Sequence, residues 1–128
     1  MEPIQALLFD MDGVVIDTVP AIVTFWNQVA AEHGITLSDE DFTERIHGVP
    51  VRDSLRRLFP MRSPDADSAF LARIEADERT QTYHEVLGVR ALLVTLRGLG
   101  IPVGLITSGM PWKVATVTEQ LQLDGLFG

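Results

Sequence analysis

The chain contains no cysteine, which removes disulfide staples, thiolate metal sites and cysteine nucleophiles together and fits a reducing compartment. Basic residues are scarce: 10 Lys and Arg stand against 18 Asp and Glu, giving a formal charge of −8 and a pI near 4.7. Attraction to polyanions depends on clustered cations that release counterions, so no nucleic acid partner is expected. No apolar run approaches the roughly 20 residues of a membrane span, and the first residues lack the basic start and apolar stretch of a signal peptide. A cytoplasmic protein with no membrane attachment is the simplest reading of these absences. What is there, 46% hydrophobic and 22% charged residues over a length of 128, is the balance of a folded chain with a real core.

Ala6-Leu7-Leu8-Phe9 is a short apolar run ending at Asp10 and Gly13. It reads as a strand buried on both faces, as in parallel sheets, with the chemistry at its carboxyl end. Beyond Pro20, Ile22, Phe25, Trp26 and Val29 fall at helical spacing, and Gly34 suits the left-handed residue that stops a helix. Ser38 with Asp41 three residues on marks another helix start, and Val51, Leu55 and Leu58 mark a further apolar face. Ser63 and Pro64 read as the cap and first position of a long helix that carries Ala66, Phe70 and Ile74 and runs to about Tyr83. Leu92, Leu93, Leu96 and Leu99, ended by Gly100, give the next helix, and Ile101 to Thr107 a second buried strand. Pro111 opens a last helix with Val114, Val117 and Leu121 on one side. The order is strand, helical insertion, helix, strand, helix, an α/β arrangement with the insertion as a separate small domain.

In Phe9-Asp10-Met11-Asp12-Gly13, side chains two apart on an extended chain point the same way, so both carboxylates emerge together from the strand end. Two anions that close repel, and a hard divalent cation relieves the repulsion; magnesium is the usual choice where phosphate is also bound. Gly13 permits the sharp turn that brings backbone near a ligand. Such a pair suits phosphoryl transfer, one carboxylate attacking phosphorus to give an aspartyl phosphate and the other giving and then taking a proton.

Leu8-Phe9-Asp10-Met11-Asp12-Gly13-Val14-Val15-Ile16-Asp17-Thr18 closely resembles the first motif of the haloacid dehalogenase-like superfamily, and Val103-Gly104-Leu105-Ile106-Thr107-Ser108-Gly109 resembles its second. With the helical insertion after the first motif, the resemblance covers essentially the whole chain. It implies Asp10 as nucleophile and magnesium ligand, Asp12 as general acid/base with its backbone carbonyl on the metal, and Thr107 as hydroxyl donor to phosphate. The amide of Ser108 joins them, because amides entering a helix N-terminus point at an anion. His47-Gly48-Val49-Pro50-Val51-Arg52 is similar to the substrate-reading segment of β-phosphoglucomutase-like members, which place an arginine three residues after the glycine. Here that position is Val51 and the arginine is Arg52, so phosphatase chemistry ranks ahead of a sugar-phosphate mutase, with His47, Gly48 and Arg52 as cap contacts.

The reading is therefore an α/β, Rossmann-like parallel-sheet core at residues 1–17 and 86–128 with an inserted helical cap at 18–85, hydrolysing a small phosphorylated metabolite with magnesium. The superfamily's lysine and acidic motifs have no counterpart, and Leu123-Asp124-Gly125-Leu126-Phe127-Gly128 resembles the segment just ahead of the lysine motif. Two strands are fewer than a self-sufficient sheet generally needs. A missing C-terminal part of the core, or a homodimer, is expected to cover the exposed sheet, and the isolated chain to turn over poorly. A truncated, non-catalytic binding module is the alternative from another class. His33, His84, Trp26 and Trp112 are read as structural, and Lys113 as a solvated lysine.

Overall fold

The computed structural model describes residues 1–60 and 63–127; Gly128, which closes the last quoted motif, lies outside them. Two short strands, β1 (Leu7–Asp10) and β2 (Val103–Ile106), pair in parallel with Leu7 opposite Val103 and Asp10 opposite Ile106. Between them run α1 (Val19–Glu32), α2 (Asp39–Asp41), α3 (Val51–Leu58), α4 (Pro64–Thr80) and α5 (Val89–Gly98), and α6 (Pro111–Leu121) follows β2. The fold is α/β, with helices inserted after the first strand. Two compact units result: Met1–Pro20 with Gln81–Gly128, and Ala21–Thr80.

In the first unit, Leu7, Phe9 and Leu105 lean on a cluster of Met11, Val15, Ile16, Tyr83, Val89, Leu93, Leu96, Val103, Val117 and Leu123. The strands are buried on one face, not on both as the apolar runs led one to expect. Leu8 is 66% and Ile106 57% exposed, because among the described residues the sheet has only two strands and its helices pack on one side. For the same reason α5 buries a narrow stripe of Val89, Leu93 and Leu96 and leaves Leu92 and Leu99 in solvent. Arg90 ties this unit together: it donates to the Glu85 carboxylate at 2.8 Å and also to the Leu121 carbonyl at the end of α6, where a cation complements the helix dipole.

The second unit packs Trp26, Val29, Ile46, Leu55 and Phe59 with Phe25 and Phe70 against them. Trp26 is core, as its helical position indicates. Gly34 takes φ +69 beyond the end of α1, the left-handed residue its place in the sequence asks for. Ser38 and Asp41 form a reciprocal cap, the Ser38 N–H donating to Asp41 Oδ2 at 2.9 Å and the Asp41 N–H to Ser38 Oγ at 3.2 Å. After one turn the helix widens into a π segment at Phe42–Ile46, closed by the His47 N–H donating to the Phe42 carbonyl at 2.8 Å. Helix α4 stops at Thr80, short of Tyr83, because Tyr83 leaves to enter the first unit's core, where its N–H donates to Gln120 Oε1 at 2.9 Å.

Leu93→Ala removes a fully buried side chain and is expected to cost about 2–5 kcal/mol in urea unfolding, whereas Leu8→Ser, on the open face, should stay within about 0.5 kcal/mol. The Ser38 N–H, and then its hydroxyl, hold the Asp41 carboxyl below its usual range. A depressed carboxyl stabilises the fold above the unfolded value and loses that contribution as pH falls through the folded one. The stability difference between the parent and Asp41→Asn should therefore shrink on acidification below the ordinary carboxylate range, read from unfolding midpoints across pH.

Candidate active site

Alternation along β1 continues past its last paired residue. Leu7 and Phe9 face the core, Met11 is fully buried, and Leu8, Asp10 and Asp12 lie on the exposed side. Met11 thus acts as an apolar peg between two carboxylates that share one side of the chain. Its carbonyl then accepts the N–H groups of Val15 and Ile16 at 2.9 and 3.0 Å, and the Gly13 N–H donates to the Ile16 carbonyl at 2.9 Å. Gly13 sits at φ +78, where a Cβ would be strained, so the turn that carries Asp12 needs this glycine. The Asp10 carboxylate is oriented locally, Oδ1 accepting the Met11 N–H at 2.8 Å.

Because Asp10 stands opposite Ile106 in a parallel pair, Thr107 leaves β2 at the same sheet end as the two carboxylates. Its Oγ1 accepts the Gly109 N–H at 3.0 Å. A Cβ at Gly109 would stand 3.2 Å from Thr107 Oγ1, 3.5 Å from Met11 Cε and 3.6 Å from Lys113 Cδ, so this glycine is where the two strand ends and α6 converge. Ser108 is exposed just ahead of α6, whose first residue is Pro111.

Lys113 is not the solvated lysine expected of it. It is buried, with the Nζ donating to Asp12 Oδ1 at 3.2 Å. The signal was in the spacing: Lys113, Val117 and Leu121 recur at every fourth residue, so the lysine stem heads the stripe that α6 turns toward the core.

Among the described residues no group of three or more His, Asp or Glu side chains converges to hold a metal ion. Asp10 and Asp12 do provide hard oxygen donors of the kind that magnesium takes. That donor chemistry fits the ion.

His47, Gly48 and Arg52 belong to the second unit. His47 closes the π segment with its ring 5.8 Å from that of Phe42, Gly48 turns at φ +71, and Arg52 is exposed in the first turn of α3. A cavity of about 640 Å³ also lies within this unit, lined by apolar residues such as Leu55, Phe59 and Phe70 together with His33 and Arg73. Arg73 is engaged there by the Glu32 carboxylate at 2.6 and 2.8 Å, which leaves little to grip a phosphate. No described helix is long and apolar enough to cross a membrane.

The family model for haloacid dehalogenase-like hydrolases matches residues 7–128. The chain belongs to that family. Hexitol phosphatase A of Escherichia coli (strain K12) is 36% identical over 107 residues, 82% of this chain and 49% of that protein. A phosphorylated carbohydrates phosphatase of Thermotoga maritima is 31% identical over 128 residues, 96% of this chain and 58% of that one. A family IA, variant 3 hydrolase of the same superfamily from Entamoeba histolytica shares the fold with a TM-score of 0.78 at 22% identity, over 97% of this chain and 58% of the other. The chain thus spans about half the length of these relatives.

Gly109→Ala would press on Thr107 Oγ1 without straining the backbone. If that hydroxyl serves an anion, inorganic phosphate should bind about 3–10-fold more weakly, the worth of one hydrogen bond, in a calorimetric titration. Unchanged affinity would place the anion elsewhere.

Proposed function

We propose that this chain carries the catalytic end of a phosphatase that hydrolyses phosphate monoesters of small sugars or sugar alcohols in the cytoplasm, through an aspartyl phosphate at Asp10. The observation that carries the reading is the placement of Asp10 and Asp12 on one exposed side of the end of β1, about a buried Met11, with Thr107 leaving the neighbouring strand at the same end. The names of the two phosphatase relatives support the carbohydrate part.

In the first step an Asp10 oxygen attacks phosphorus, the bond from phosphorus to the alcohol oxygen breaks, and that oxygen takes a proton from the Asp12 carboxyl. In the second, water attacks the phosphorus, passes a proton to Asp12 and releases the Asp10 carboxylate together with inorganic phosphate. The Thr107 hydroxyl donates to a phosphate oxygen, helped by the Ser108 amide at the approach to α6, and the turn at Gly13 lets backbone come close to the phosphate. Asp10 and Asp12 would hold magnesium, which when bound neutralises charge developing on the transferred phosphoryl group. His47, Gly48 and Arg52 are the candidates for reading the substrate's carbohydrate end.

Asp10→Asn should abolish phosphate release from a hexitol phosphate, and Asp12→Asn should lower it by about 100-fold or more, the scale of general acid/base catalysis. Near-normal release by the Asp10 variant would refute the assignment.

A further inference from the structure

We propose that Lys113 is a positioning residue for Asp12, anchoring one oxygen of that carboxylate so that the other does the proton transfers; the inference rests on the reading of Asp12 as the acid/base. The two residues lie 101 positions apart in sequence, on the α6 and β1 sides of the sheet end, and meet at 3.2 Å. Their exposures are unequal: the lysine side chain is 9% accessible and the aspartate 41%.

An ammonium taken out of water is costly unless it is well paired, so it holds its partner more firmly than a surface lysine would. The stem is confined as well, passing beside Gly109, where a Cβ would come within 3.6 Å of its Cδ, and heading the stripe completed by Val117 and Leu121. Asp12 sits on a short turn and is half open to solvent, where an unrestrained carboxylate would sample several rotamers. With Oδ1 bonded to Lys113, Oδ2 is left to hand a proton to the departing alcohol and then to take one from water.

The test is Lys113→Met, which keeps an unbranched stem and removes the charge, with Lys113→Arg as the charge-retaining control. The unaltered chain, Asp10→Asn and both variants are mixed with p-nitrophenyl phosphate or a hexitol phosphate, quenched in acid and weighed by mass spectrometry for phosphate on Asp10. Nitrophenolate leaves without a proton, so with that substrate Lys113→Met should still form the aspartyl phosphate but hydrolyse it slowly. Turnover should fall about 10–100-fold while the phosphorylated protein accumulates. With the hexitol phosphate both steps need Asp12, and turnover should fall without accumulation. Lys113→Arg should recover most of the turnover.

A general loss of structure would lower phosphorylation and turnover together with both substrates. That pattern in Lys113→Met, with Lys113→Arg equally impaired, would overturn the proposal, as would turnover by Lys113→Met within about 3-fold of the parent. If the unaltered chain never acquires phosphate at Asp10, the phosphatase reading itself fails; if it does and Lys113→Met matches it, only the role of Lys113 fails.

Discussion

Everything at the sheet end follows from one parallel pairing. Setting Asp10 against Ile106 in a ladder where both strands run the same way obliges residues that follow the two strands to share an end. Had the register slipped by one, β1 would present the opposite set of side chains, with Leu7 and Phe9 turned out and the carboxylates driven inward. The burial of Leu7, Phe9 and Met11 opposes that slip, so hydrophobic packing in one part of the molecule determines where two charges appear in another.

Charge is the second organising theme. A chain of net charge −8 that gathers two carboxylates at one sheet end concentrates like charge there. Lys113 is a local answer built into the fold. It is carried by α6 directly after the loop that bears Thr107, so both strand ends are served by one short segment of chain.

Much of this was legible in the sequence. Local rules sufficed for the reciprocal cap at Ser38 and Asp41, the left-handed Gly34 and Gly13, and Pro111 at the head of α6, since each depends on neighbours within a few residues. The first motif likewise located the carboxylate pair. What depended on the rest of the molecule was harder to read. Leu8 and Ile106 have the composition of buried strand residues, yet their exposure is decided by how many layers cover the sheet. Lys113 looked like a surface residue because its charge outweighed its place in the apolar stripe, and the aspartate it meets lies at the far end of the sequence. The ends of the helical insertion shifted too, from 18–85 to Ala21–Thr80, because Tyr83, Glu85 and Val86 are held by the first unit: Tyr83 by Gln120, Glu85 by Ile16 and Val86 by the Val15 carbonyl.

The pairing of Glu85 with Ile16 reaches beyond the boundary itself. Ile16 bridges Glu85 in antiparallel fashion, and the Asp17 N–H donates to the His84 carbonyl at 2.8 Å, so the outgoing and returning strands of the insertion are laced side by side. A chain excursion that departs and returns through one doorway burdens its host with little more than loop-closure entropy, which rises by only about 0.6 kcal/mol for each doubling of length. The helices beyond that doorway can be exchanged, lengthened or reshaped while the strand ends keep their geometry.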